Sequence, residues 1–353
     1  MTRKARTLLR TLLSFFLTAV FLYLAFRNAN LTELWNSLVE ANLWWILALV
    51  PLGLFSHWVR ALRWRYLVAP LKPNASLRNL FSAVMVGYMV NNVLPRAGEL
   101  VRAYMFGRLE KMSRSATLGT IVVERILDTV TFLFMLCTIL FLYPNSLDPF
   151  VENVELARRY FLLGSVGLLV LSAVLLLKSE SLFGLMKLLK PLVPQRYAGQ
   201  IDAIVESFLS GIGAGAGRQY LFVVSVLSLF LFGVYGLTMY VGFFSLDTIA
   251  AREFDFGVAF VLLTITTVAY VLPAPGALGT YHSFLTYTLA TLYGVDSVSA
   301  LSFSIITHEV SYLTITFVGL GYFLKDHVRI SEITEQAVGE EPSLNHEASP
   351  SRK

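Results

Sequence analysis

The sequence predicts an all-α polytopic membrane protein: about six transmembrane helices plus two re-entrant broken-helix hairpins, arranged as two inverted-topology repeats. Three observations predict it. Hydrophobic residues make up 56% of the 353 residues and charged residues only 14%, where a soluble chain carries about 25% charged residues. Apolar runs of the roughly 20 residues needed to cross a bilayer recur along the chain. The pattern V-L-P-x-x-G-x-L interrupts two of those runs, at 93–100 and again at 271–278. A single cysteine, Cys137, excludes a disulfide scaffold and a Cys-based zinc site. The net charge of +5 reads as a cytoplasmic-side bias rather than affinity for nucleic acid.

Residues 8–26 form the first span, and Arg3, Lys4 and Arg6 before it hold the N-terminus in the cytoplasm. No small-x-small cleavage site follows, and many further spans do, which argues against a secretory signal. Residues 31–38 are amphipathic and belong at the outer interface. Residues 43–59 return inward and end in Arg60, Arg63, Arg65 and Lys72, as the positive-inside rule requires. The run 77–94 is broken at Pro95-Arg96-Ala97-Gly98-Glu99 and resumes over 100–109. A full crossing there would leave Arg96, Arg102, Arg108, Lys111 and Arg114 outside, so a hairpin entering from the cytoplasm is expected. Residues 118–142 span outward and close a first membrane repeat, 1–142.

An external loop at 143–159 carries Asp148, Glu152 and Glu155. The second repeat, 160–324, opens with a span at 160–177 and includes a basic amphipathic cytoplasmic segment, 178–219. Gly211–Gly217 ends that segment; it lacks a preceding strand and the G-x-G-x-x-G spacing, so it reads as a flexible interfacial turn. Residues 220–244 span outward. Residues 256–272 enter again, break at Pro273-Ala274-Pro275-Gly276, and resume through about Leu292. Residues 298–324 make the last crossing, to Lys325 and Arg329 inside, followed by a disordered cytoplasmic tail at 325–353. Counting each hairpin as a crossing would raise the total to seven or eight.

The V-L-P-x-x-G-x-L match is either chance in an apolar chain or an internal repeat, and its equivalent position in both halves favours the repeat. Three crossings per unit invert the next copy, so the two hairpins would enter from opposite sides and meet. Broken helices in inverted repeats mark the binding sites of many secondary transporters, and non-helical backbone at membrane depth must be buried or line a wet cavity.

Charges within spans cost about 2.5–3.5 kcal/mol each at the helix centre. Glu124 and Asp128 share a helix face, and Arg125 lies three residues from Asp128. With Glu99, Arg96 and Arg102 they make three arginines and three carboxylates. Mutual neutralisation is one reading; a phosphate accepted by Arg96, Arg102 and Arg125, with Glu99, Glu124 and Asp128 holding the arginines, is a compatible second. Asn91 and Asn92 either cap backbone groups freed by Pro95 or contact a ligand. Pro95, Gly98, Pro273, Pro275, Gly276 and Gly279 shape the breaks, and helix N-termini after Gly98 and Gly276 would assist an anion. His282, His308 and Glu309 are either packing residues or a protonatable group. His308-Glu309-Val310-Ser311-Tyr312 lacks the second histidine of H-E-x-x-H, no G-x-S-x-G or ATP motif occurs, and no metal, cofactor or catalytic residue is expected. Trp44, Trp45, Trp58 and Trp64 read as interfacial anchors.

Four stretches, Arg60-Ala-Leu-Arg-Trp-Arg65, 87–102, 122–128 and 272–282, resemble in that order the lysylphosphatidylglycerol synthase transmembrane-region family, also described as flippase-like. The resemblance covers about residues 8–325. It implies lipid translocation; the soluble aminoacyl-transferase domain of the bifunctional members is expected to be missing, which argues against aminoacyl transfer. The sequence thus points to a multi-pass protein of the inner or plasma membrane, both termini cytoplasmic. It would move a phosphate-headed lipid, phospholipid or polyprenyl-linked, without enzymatic activity. The alternatives are an intramembrane lipid-modifying enzyme using His282, His308 or Glu309, and a scaffold partner of a cell-envelope glycosyltransferase. Membrane lipids are the expected partners, alongside a homo-oligomer or an envelope-biosynthesis enzyme.

Overall fold

A computed structural model describes residues 3–27, 29–144, 153–177, 206–207, 210–213 and 218–326. Among these residues the regular structure is helical throughout. The first half holds α1 (Arg3–Phe26), α2 (Leu31–Val39), α3 (Leu43–Val68), α4 (Leu77–Val93), α5 (Gly98–Glu110) and α6 (Arg114–Leu142). The second holds α7 (Val154–Leu177), α8 (Arg218–Gly242), the short α9 (Asp247–Ala250), α10 (Phe256–Val271), α11 (Thr280–Tyr293) and α12 (Ser297–Lys325).

Side chains set most helix starts. The side-chain oxygens of Asn30, Asn42, Ser113, Asp255 and Asp296 accept backbone N–H groups at the first turns of α2, α3, α6, α10 and α12, satisfying donors that have no partner within the helix. Lys111 and Gly294, both left-handed, end α5 and α11. Among the described residues four helices, α3, α6, α8 with the turn after it, and α12, are long and apolar enough to cross a membrane; α1 and α2 pass together as a pair bent by 87°. Among the described residues, length and apolarity alone therefore give four crossings, or five, where six are expected of the whole chain. Their outward faces carry exposed Phe15, Phe16, Phe141, Phe222 and Phe317, the surface that a hydrocarbon solvent demands.

The apolar core is divided. One cluster joins Trp64, Leu67, Val84, Phe106 and Ile121 on α3–α6; the other joins Phe243, Ile249, Leu262, Leu285 and Phe303 on the second half, with Leu49. The packing pattern repeats as well: α3 lies on α4, α4 on α5 and α5 on α6, as α8 lies on α10, α10 on α11 and α11 on α12. The two halves meet along α3 and α8. One departure breaks the correspondence: α12 packs extensively on α4, whereas α6 barely touches α10.

Both hairpins form. Their arms have 17, 13, 16 and 14 residues, about 20–25 Å at 1.5 Å per residue, short of the roughly 30 Å hydrocarbon core. The first break is residues 94–97, the second 272–279. Several boundaries differ from expectation. α3 runs through Arg60, Arg63 and Arg65 to Val68 instead of ending at 59, so the first two arginines sit inside the bundle. The expected external loop is shorter, because α7 begins at Val154. Residues 210–213 are helical, and a Cβ on Gly211 would overlap the Ala116 carbonyl, so this glycine serves close packing rather than a flexible turn. Most of the amphipathic segment 178–219, residues 214–217 and the tail beyond 326 lie outside the described residues.

Candidate functional site: a buried arginine network beside the first break

Glu124 and Asp128 project from one face of α6 into the gap between α3 and α5. Arg60 donates to Glu124 at 2.8 Å and to Asp128 at 2.9 Å; Arg63 reaches Asp128 at 2.6 Å and lies 3.3 Å from Glu124. From α5, Arg102 donates to Glu124 at 2.5 Å, and Arg125 lies 2.9 Å from Glu124 and 3.4 Å from Asp128. The outer donors of Arg60 and Arg63 go to Tyr235 and Ser228 of α8, both at 2.9 Å. Arg102 lies over the Trp64 ring, 3.7 Å from its centroid.

Arg63 and Glu124 are fully buried, but the Arg125 side chain is 38% exposed, which makes it the face of the network that a ligand can meet. It borders a small cleft with Val84, Gly87, Tyr88, Asn91, Gly98, Glu99 and Arg102, whose free volume of about 10 Å³ has room for one water. Anything larger than a water therefore enters only if α4–α5 and α6 separate. Four guanidinium groups face two carboxylates, and Glu99 adds a third negative charge in the cleft, so one positive charge is left unbalanced. The Nε–H groups of Arg60, Arg63, Arg102 and Arg125 and one oxygen of Glu99 are buried without partners.

The network corrects the sequence reading in three places. Arg60 and Arg63 were assigned to the membrane surface and are central; their i, i+3 spacing just before Trp64 was the available signal. Arg96 is not in the network. It sits exposed at the hairpin tip with φ 64° and donates to the Val271 carbonyl at 3.3 Å. Glu99 makes no ion pair with these arginines and so does not support them.

The two breaks touch, as expected. Asn91 accepts the Gly98 N–H at 2.8 Å, capping α5, and Asn92 donates to Thr316 at 2.9 Å and to the Tyr312 carbonyl at 3.2 Å on α12. The bend at Pro95 brings Gly98 back against Gly87, where a Cβ would overlap the Gly87 carbonyl. In the second break, Pro273 and the buried Pro275 frame a turn in which Gly276 and Gly279 have φ of 54° and 81°; a Cβ on Gly276 would lie 3.3 Å from Asn92 Cα. The second arm starts at Thr280, not after Gly276, and the Gly98 N–H is taken by Asn91, so neither N-terminus is set out as the sequence suggested. His282, His308 and Glu309 gather beside this turn: His308 Nδ1 is 3.0 Å and His282 Nε2 3.7 Å from Glu309, and His308 Nε2 is 2.8 Å from the Gly276 carbonyl.

Membrane-crossing helices folded around two broken hairpins define a polytopic membrane protein. The lysylphosphatidylglycerol synthase TM region family matches the chain over residues 11–319, and the chain belongs to that family. A UPF0104 membrane protein of Methanocaldococcus jannaschii is 29% identical over 131 residues, 36% of this chain and 38% of that protein. One from Methanothermobacter thermautotrophicus is 32% identical over 29% of this chain and 31% of its own length. The glycosyltransferase AglD of Haloferax volcanii is 23% identical over 316 residues, 83% of this chain and half of that protein. The chain thus spans half or less of these relatives' lengths. No solved structure matches it.

Proposed function

We propose that the protein moves a lipid with a phosphate-bearing headgroup, phospholipid or polyprenyl-phosphate-linked glycan, between the leaflets of a cell membrane, with both termini cytoplasmic. One observation carries this reading: a network with surplus arginine opens, through half-exposed Arg125, onto the cleft under a broken hairpin. A phosphate would accept the unused donors of Arg102 and Arg125 as charge-assisted bonds, while its acyl chains stay in hydrocarbon. Glu124 and Asp128 hold the arginines in register and keep binding weak enough for release. Membership of this family agrees with a lipid substrate. No chemical change to the lipid is part of the reading.

The test is leaflet accessibility of labelled anionic lipids in proteoliposomes, wild type against Arg125→Ala. Loss of one charge-assisted bond, worth about 1.5–3 kcal/mol, predicts at least tenfold slower movement of one lipid class. Equal movement by both proteins removes the arginine role, and new lipid products would establish the enzyme alternative. The match to half of a glycosyltransferase favours a second reading, a membrane partner for such an enzyme; it gains if the purified protein moves no lipid.

A further inference from the structure

We propose that His308 and Glu309 form a proton-binding site whose single exchangeable proton fastens the tip of the second hairpin to α12. The argument is a count of donors and acceptors. His308 is buried, with Nε2 2.8 Å from the Gly276 carbonyl and Nδ1 3.0 Å from a Glu309 carboxylate oxygen. Both neighbours are acceptors. A neutral imidazole has one N–H, so with Glu309 ionised one of the two contacts must be lone pair against lone pair. One added proton on His308 satisfies both at once, and its loss releases either the Gly276 carbonyl or Glu309.

The pair is surrounded by aromatic rings, a second histidine and, at the far end of the break, one guanidinium. From α11, Tyr281 lies 5.1 Å from the His308 ring and His282 4.8 Å. From α12 itself, Tyr312 lies 5.8 Å away. Tyr270 of α10 faces Tyr281, α1 offers Thr18 and Phe21 backbone against Gly279, and Arg96 reaches the far end of the break at Val271. Three potential ligand atoms lie within 4.8 Å of one another, yet a metal fits poorly. His282 Nδ1 accepts the Gly279 N–H at 3.4 Å, which puts its own proton on Nε2, the atom facing Glu309. That nitrogen has no lone pair to give.

The latch has somewhere to act. Gly276 sits against Asn92, whose side chain is tied to α12, and adjacent Asn91 caps Gly98 beside Gly87 and Arg102. Releasing Gly276 therefore loosens the contact between the two tips on which the arginine cleft is built. A proton gradient is then the coupling force of the translocation proposed above; that role rests on the translocation reading, whereas the proton site does not.

The test uses the full chain, ¹⁵N-labelled at histidine, in proteoliposomes. The expected spectrum near neutral pH has both ring nitrogens of His308 protonated and only one of His282; Glu309→Gln, whose amide can itself donate to Nδ1, returns His308 to one proton. His308 neutral from pH 5 to 8 in the wild type overturns the site, and so does an unchanged His308 in Glu309→Gln. A spectrum altered by a metal chelator overturns it in favour of a metal. In the same vesicles an imposed pH gradient is expected to change the wild-type lipid rate several-fold and to leave Glu309→Gln and His308→Gln moving lipid at a gradient-independent rate. Wild-type movement indifferent to the gradient overturns the coupling and spares the translocation reading. No movement of any lipid overturns that reading, while the spectrum still decides the proton site.

Discussion

The two breaks share one sequence pattern and are held in opposite ways. At the first, the side chain of Asn91 caps the returning arm and a buried network of full charges braces α5 against α3 and α6. At the second, a histidine on α12 grips a backbone carbonyl at the turn, and the nearest carboxylate is partly open to its surroundings. In each half the decisive groups come from the helix that follows the hairpin: Glu124 and Asp128 from α6, His308 and Glu309 from α12. The pattern V-L-P-x-x-G-x-L therefore specifies a bend, and the following helix decides what the bend is for.

The comparison breaks first at its strongest point. Glu124→Gln leaves Asp128 as the one carboxylate paired with the four guanidinium groups and should cost about 3–5 kcal/mol, read as thermal unfolding in detergent. Glu309→Gln should cost under about 1 kcal/mol, since its carboxylate is partly exposed and keeps its shape. Equal losses would mean that both tips depend on charge. Next comes the glycine pair. Gly98→Ala forces the two arms apart at the Gly87 carbonyl and at Asn91, 2.7 Å from the added carbon, for about 3 kcal/mol of overpacking. Gly276→Ala meets a left-handed φ and the edge of Tyr312 at 2.6 Å, for about 1–2 kcal/mol; Gly53→Ala, with open space around it, is a control that should not destabilise. Asn91→Ala removes one cap and should cost about 1 kcal/mol. Smallest is Arg96→Ala, expected within about 0.5 kcal/mol and without effect on lipid movement in the leaflet assay, in contrast to Arg125→Ala.

Much of this was legible in the sequence because membrane burial leaves so few places for charge. The i, i+4 spacing of Glu124 and Asp128 placed both carboxylates on one face, and the two prolines marked both breaks. Arg60 and Arg63 were misread because the apolar run stops at Val59 while the helix does not: a guanidinium beyond the end of such a run looks interfacial until its partners, 61 and more residues away, are known. Arg96 failed for the opposite reason. Proximity in sequence to Glu99 and Arg102 says little across a break, because the reversal of the chain at Pro95 turns neighbouring side chains to different sides. The His308–Gly276 contact had no pattern at all, being a side chain on a carbonyl 32 residues distant.

Trp64, fully buried beneath the Arg102 guanidinium, gives the protein an optical gauge of its own. The other four of its five tryptophans, Trp35, Trp44, Trp45 and Trp58, lie on exposed surface and can be exchanged for phenylalanine. The remaining indole would then shift its emission whenever the cation above it moves or changes partner, reporting occupancy in unlabelled protein and in real time.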